Sequence, residues 1–218
     1  MEWSKLMRVT EAQPTPSRTA RRAAANREAI VDAAEELLVE GGLAAVTVEA
    51  VAERSDVAIQ TVYNRVGRRP EVLVAVAERA VEENRRYMAP AFGSGGTPTE
   101  RLAAVALAYV RFAHERPRQF ELLNTPPDEP VALERIADKV DEQVGLLAEI
   151  LAAGVADGSF DPAMDPAVAA TALWAMLEGV LMLSWRPDRK VVGPQSVQAL
   201  AEFAMLTMVR GISGPSGR

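Results

Sequence analysis

ERSDVAIQTVYNRVGRRPE, residues 53–71, gathers Arg54, Arg65, Arg68 and Arg69 around a short polar run of Gln60, Thr61, Tyr63 and Asn64. The spacing predicts a helix over about 58–65. Gly67 closes it, and Pro70 falls in the first turn of the next helix, where proline loses no hydrogen bond. Immediately upstream, Thr47 is placed to cap a second short helix that buries Val48, Val51 and Ala52, with Ala50 where a capping-box Glu would stand. Two short helices joined by a tight turn, the second polar and basic outside, are the sequence form of a helix-turn-helix. Val51, Ala52, Val57, Val62 and Val66 can brace the inner face. Gln60, Asn64 and Arg65 carry the donors and acceptors that read base edges. Thr47, Thr61, Tyr63, Arg68 and Arg69 are suited to holding phosphates, which sets register without reading sequence.

Working outward, the chain shows helical periodicity almost throughout and no strand. An arm rich in Pro, Ser and Thr covers 1–20. A first helix over about 22–40 carries Ile30, Ala33, Ala34, Leu37 and Leu38 on one face and stops at Gly41–Gly42. Downstream, a long helix over about 69–91 ends near Pro90. After the break GSGGTP come helices at about 99–114, 117–124, 130–156, 165–185 and 194–211. The expectation is an all-α protein of about nine helices: a basic arm (1–20), a helix-turn-helix domain (21–70, with the motif at about 47–66) and a helical body (71–218).

Charge follows that division. Residues 1–70 hold 10 basic and 10 acidic side chains, whereas 71–218 hold 14 and 20, so the net charge of -6 belongs to the body. Within 54–69 there are four Arg and one Asp, and Arg18, Arg21, Arg22 and Arg27 lie upstream. Local sign governs steering to phosphate more than the total does. The absence of cysteine excludes a disulfide framework and thiolate metal sites. No apolar run has the length of a secretory leader or a membrane span, so a cytoplasmic setting without membrane contact is expected. His114 is the sole histidine, near a helix end between Ala113 and Glu115, which suits a surface role. No nucleophile–base pair, metal set or phosphate loop is present in the pattern, so neither an enzyme nor a cofactor is expected.

The stretch from Arg27 to Leu73 resembles the N-terminal domain of the tetracycline-repressor (TetR) family of bacterial transcriptional regulators. Ala33–Ala34, Leu37, Gly41–Gly42, Thr47–Val48, Val51–Ala52, Val57, Thr61, Tyr63 and Val66 fall in that pattern's register, with Arg69 in place of its Lys. DGSFDPAMDPAVAATALWAMLEGV resembles the family's lead-in to its eighth helix. There are three departures. Asp56 stands at the turn where glycine and a positive φ are expected, at a steric cost of roughly 1 kcal/mol. Ala58 lacks the side chain that would cap the recognition helix. Ile59 and Val62 make the reading surface partly apolar, which suits thymine methyls.

The resemblance implies an effector pocket in the body, for which Tyr109, Phe112, Phe120, Trp174, Glu178 and Trp185 are candidates. Glu178 is the most informative, because an acid within ALWAMLEGVLML is unfavourable to bury unless paired or touching a ligand. It also implies a dimer built from the eighth and last helices, through Ala172, Ala175, Gly179, Leu200, Ala204 and Met208, although an intramolecular bundle would show the same small-residue stripes. The expected function is a dimeric one-component regulator, a repressor released from a palindromic DNA operator by a small-molecule effector. Two alternatives remain at this point: a constitutive DNA-binding regulator with a filled body, and a helical binding module whose head no longer binds DNA.

Overall fold

The computed structural model describes residues 17–183 and 194–213, with side chains of 194–198 outside the description. All described elements are helical: α1 (Arg18–Gly41), a 3₁₀ turn (Leu43–Ala45), α2 (Val48–Arg54), α3 (Ile59–Arg65), α4 (Arg69–Phe92), α5 (Pro98–Glu115), α6 (Pro117–Asn124), α7 (Pro130–Ala156), α8 (Pro166–Met182) and α9 (Pro194–Ile212). Among the described residues, no helix is long and apolar enough to cross a membrane.

The ends of the helices follow local chemistry. α1 begins earlier than expected, because the Ser17 hydroxyl accepts the Ala20 N–H at 3.1 Å and Arg and Ala extend a helix readily. Its first turns are exposed, and burial starts at Ile30. Thr47 caps α2, its hydroxyl accepting the Ala50 N–H at 3.2 Å. At Gly67 φ is +135°, and an added Cβ would lie 2.7 Å from that of Glu71, so only glycine makes this joint. The Glu71 carboxylate there accepts the Arg68 N–H at 2.8 Å, starting α4. α4 runs past Pro90 to Phe92. Proline in a last turn removes a single N–H, and the turn is held by Gly93 N–H on the Ala89 carbonyl and Arg101 Nη2 on that of Phe92, at 3.0 and 3.2 Å.

The N-terminal head closes on Ile30, Ala34, Leu38, Val46, Val51 and Val62, all fully buried. In the body α7 packs on α8, α4 on α5 and α7, and α8 on α9. Head and body meet along α1, α4 and α6. Arg79 of α4 binds Glu28, Asp32 and Glu35 of α1, and Gln119 of α6 donates to Glu35 at 2.9 Å. The turn from α7 into α8 is pinned by Phe160, whose ring is buried and whose neighbour Asp161 bonds the end of α9 through the Ile212 carbonyl at 2.9 Å.

Candidate nucleic-acid interface and body cavity

α3 presents one face to solvent and one to the head. Val62 is wholly buried and locks the helix in place, so of the two apolar residues expected at the reading surface only Ile59 remains there, 41% exposed. Gln60, Tyr63 and Asn64 are exposed on one face, and Arg65 is exposed at the C-terminal end of the helix. Gln60 Nε2 donates to Asn64 Oδ1 at 3.1 Å, one helical turn apart, so the two amides hold each other in a fixed pose before meeting a base. Thr61 is half-buried, and Arg68 is exposed at the head of α4. Thr47, whose hydroxyl oxygen is engaged by the cap, still has its O–H to donate outward.

Two arginines have structural duties that the sequence did not reveal. Arg69, expected at a phosphate, donates through Nε to the Val46 carbonyl at 2.9 Å and through Nη2 to that of Leu43 at 3.0 Å. It ties α4 to the end of the 3₁₀ turn, leaving three of its five N–H groups free. Arg54 is paired with Glu36 and Glu40 at 3.2 and 2.7 Å, so its charge is neutralised within the head. Arg18, Arg21, Arg22 and Arg27 lie exposed along the protruding part of α1, and His114 is exposed near the end of α5.

The turn between α2 and α3 carries the expected strain: Asp56 has φ 51°, the left-handed region. Ala58 caps α3 with no side-chain hydrogen bond. Asp56→Gly is expected to raise thermal stability by under about 1 kcal/mol, because relief of strain outweighs glycine's greater freedom in the unfolded chain. It should also tighten DNA binding, because a negative charge in the turn of the helix-turn-helix opposes the approach of phosphates. Unfolding and DNA-titration curves check both, and weaker DNA binding by the glycine variant would show that Asp56 has a positive role in docking.

In the body, α4, α5, α7, α8 and α9 surround a cavity of about 60 Å³ with almost wholly apolar walls. Tyr109 and Trp174, two of the effector candidates, line it, joined by Met88, Leu102, Leu147 and Leu177. Phe112 and Phe120 do not reach it. They are fully buried behind Tyr109, with ring centroids 5.5 Å apart for Tyr109–Phe120 and 6.3 Å for Phe112–Phe120. Aromatic spacing on α5 and α6 therefore marked core packing. Trp185 lies outside the described residues.

Glu178 is half-buried, and its Oε2 has no hydrogen-bond partner. Burial pushes its carboxyl upward while the charge of Lys139 opposes the shift. Lys139, 3% exposed on α7, is pulled by burial to about 8. Burial and the Glu178 charge raise the Tyr109 phenol, against hydrogen bonds with the Asn124 and Trp174 side chains. Gln143 Nε2 donates to Asn84 Oδ1 at 2.6 Å, while Asn84 Nδ2 is buried and unpartnered. Asn84, Lys139 and Gln143 were missed by sequence reasoning. The signal was present: Lys139 and Gln143 interrupt the buried stripe Ala132, Ile136, Leu147 at helical spacing.

The proposed contact surface on α8 and α9 divides. Ala172, Ala175, Gly179 and Leu200 are exposed, whereas Ala204 and Met208 line the cavity instead. The register of α9 turns Phe203 and Leu206 outward, 68% and 59% exposed, and Val168 of α8 is 66% exposed.

A braced helix-turn-helix ahead of a helical body defines a DNA-binding transcriptional regulator. Residues 30–67 match the family described as bacterial regulatory proteins, tetR family, and residues 102–208 match the tetracyclin repressor-like C-terminal domain. The chain belongs to the TetR family of transcriptional regulators. No curated protein matches it in sequence. Among solved structures it resembles a TetR/AcrR-family regulator from Thermobifida fusca, with 21% identity and TM-score 0.67 over 86% of this chain and 98% of that one. It likewise resembles FadR from Bacillus subtilis in complex with stearoyl-CoA, with 19% identity and TM-score 0.68 over 85% and 98%. The ketosteroid regulator KstR2 of Mycobacterium tuberculosis shares 19% identity and TM-score 0.61 over 87% and 95%. At these identities the likeness is one of fold.

Proposed function

We propose that the protein is a dimeric repressor that places α3 of each subunit in the major groove of a palindromic operator and is released by a small molecule bound in the body. The observation that carries the reading is the outward face of α3, with Gln60, Tyr63, Asn64 and Arg65 exposed around a buried Val62. Gln60, Asn64 and Arg65 read base edges and Ile59 meets a thymine methyl. Thr47, Thr61, Tyr63 and Arg68 hold phosphates, with the free N–H groups of Arg69 in support.

The exposed apolar faces of α8 and α9 support pairing with a second copy, which would set the two heads about 34–36 Å apart, one turn of DNA. An effector favouring a different head spacing would weaken DNA binding, and by linkage DNA would weaken the effector. α4 is the lever, since it runs from the Arg68 joint to the cavity wall at Met88. The Bacillus subtilis FadR structure holds stearoyl-CoA, so an acyl-CoA is one effector chemistry that this fold accommodates.

The test is titration of the protein with palindromic DNA from the region beside its own gene over a range of salt. Binding should weaken steeply with salt and fall with Arg65→Ala or Tyr63→Phe, and the protein should sediment as a dimer that Phe203→Glu separates. Salt-independent binding, or binding indifferent to the α3 substitutions, would sink the reading. A constitutive regulator without effector is the second reading, favoured by the small volume of the cavity, about 60 Å³. It predicts no thermal shift from any ligand at saturation.

A further inference from the structure

Glu35 of α1 is held from two sides. Its Oε2 accepts from Arg79 Nη1 of α4 at 3.4 Å, and its Oε1 accepts from Gln119 Nε2 of α6 at 2.9 Å. The same guanidinium binds Glu28 at 2.7 Å and also Asp32, so one arginine gathers carboxylates from successive turns of α1. One turn further along α4, Glu83 accepts from Arg116 Nε, at the start of α6, at 2.8 Å. These bonds close a ring through α1, α4 and α6, and Glu35 is the head residue that α4 and α6 hold in common.

The partners of Glu35 are well shielded from solvent. Gln119 is 5% exposed, and its amide donor is spent on Glu35. The Arg79 side chain is 24% exposed, unlike an open surface pair, which contributes little singly. Beside the ring, a cleft of about 600 Å³ lies between α1 and the corner of α5 and α6. Asp32, Glu35, Glu36 and Glu40 line it from α1, and Glu83 and Glu115 line it from the body. Like charges across the cleft favour its opening. Arg54 neutralises Glu36 and Glu40 from within the head, whereas Asp32 and Glu35 are neutralised by Arg79 of α4.

We propose that Glu35 is a positioning residue for operator recognition: held by Arg79 and Gln119, it fixes the angle of the head on the body and so selects the half-site spacing that the protein accepts. The selection is sharp because one added base pair moves a half-site by about 3.4 Å and turns it by about 35°. A head with a fixed angle follows neither movement, and a head freed at Glu35 follows both in part. Arginine rather than lysine suits position 79, since a planar fork orients several carboxylates that a point charge leaves free to turn. In its consequence for DNA the inference rests on the reading of the protein as a dimer on a palindrome. The fixed angle itself is independent of that reading.

The experiment has two arms, both on the full-length protein. The sequence lacks cysteine, so spin labels introduced by Glu53→Cys in the head and Asp138→Cys on α7, both exposed positions, report one distance within the subunit. It is read by pulsed electron resonance in samples diluted with unlabelled protein. Glu35→Ala, and the milder Arg79→Lys, should widen the distance distribution about two-fold or more. Glu40→Ala removes a carboxylate of α1 that is bonded within the head, to Arg54, and should leave the distribution unchanged. In the second arm, palindromic duplexes from the region beside the gene are titrated with the half-sites as found and moved apart by one base pair. The insertion should weaken binding of the unsubstituted protein about ten-fold or more and that of Glu35→Ala about three-fold or less. Binding to an isolated half-site should be equal in the two proteins. Unchanged distributions in both Glu35→Ala and Arg79→Lys, equal widening by Glu40→Ala, or an unchanged penalty for the insertion would each overturn the proposal. If no palindromic DNA is bound, the proposed function fails, and the labelled distances alone uphold or overturn the role of Glu35.

Discussion

Phe160→Ala is expected to lower the stability of the protein by about 3–5 kcal/mol, the range for deleting a fully buried aromatic ring. The ring, 1% exposed, sits in the turn between α7 and α8, and its placement depends on a neighbour chosen to admit it. A Cβ on Gly154 would lie 2.0 Å from the Phe160 Cδ2, and the Phe160 N–H donates to the Gly154 carbonyl at 2.9 Å. Helix α7 therefore carries a glycine, unfavourable in a helix interior by roughly 1 kcal/mol, so that the ring can lie flat on its backbone. Asp161 then bonds the Ile212 carbonyl at 2.9 Å, so the same turn anchors the far end of α9. Loss of the ring leaves a cavity and loosens α8 and α9 together. Gly154→Ala should also destabilise, because the added methyl and the ring cannot share the space. Denaturant unfolding of both variants decides: a loss below about 1 kcal/mol for Phe160→Ala would mean that the turn repacks without it.

Gln60→Ala combined with Asn64→Ala is expected to weaken binding to the cognate operator by about 10³-fold or more in a dimer, from four lost base pairings at about 1–3 kcal/mol each. Both residues are exposed and bond chiefly each other, so their removal leaves the head's core of Ile30, Leu38, Val51 and Val62 intact. The loss should fall on the cognate sequence alone, with binding to unrelated DNA and the salt slope little changed. Arg68→Ala should do the opposite, weakening all sequences alike and reducing the slope by about one unit per subunit for one lost phosphate contact. Competition titrations with cognate and scrambled duplexes separate the two behaviours. An equal loss on both duplexes for the Gln60/Asn64 variant would remove these residues from base reading.

The all-helical class and the head were legible because their signals are local. Thr47, Gly67 and Pro70 mark helix ends through backbone chemistry that needs no distant partner, and the buried face of α2 and α3 repeats at the helical period. The positive φ of Asp56 was implied by the resemblance to the TetR turn, in which glycine stands at that place. The side chains whose packing or partners the sequence did not reveal are long or lie on helices with apolar residues on more than one side. Arg69 reaches 23 residues back along the chain, to Val46, and no local pattern announces that bond. Phe112 and Phe120 satisfy the same spacing whether they face a cavity or a core.

The body shows the limit most clearly. α8 and α9 are apolar around much of their circumference, so periodicity alone does not say which stripe faces inward. The amino-acid sequence by itself determined the order of helices, the helix-turn-helix and the polar outer face of α3, because caps, glycines, prolines and a one-sided apolar stripe act over a few residues. Only the tertiary structure decided that Ala204 and Met208 face the cavity while Phe203 and Leu206 face outward, and that Gln143 of α7 bonds Asn84 of α4. Those outcomes depend on the rotation of each helix against its neighbours, which is set by packing across the whole bundle.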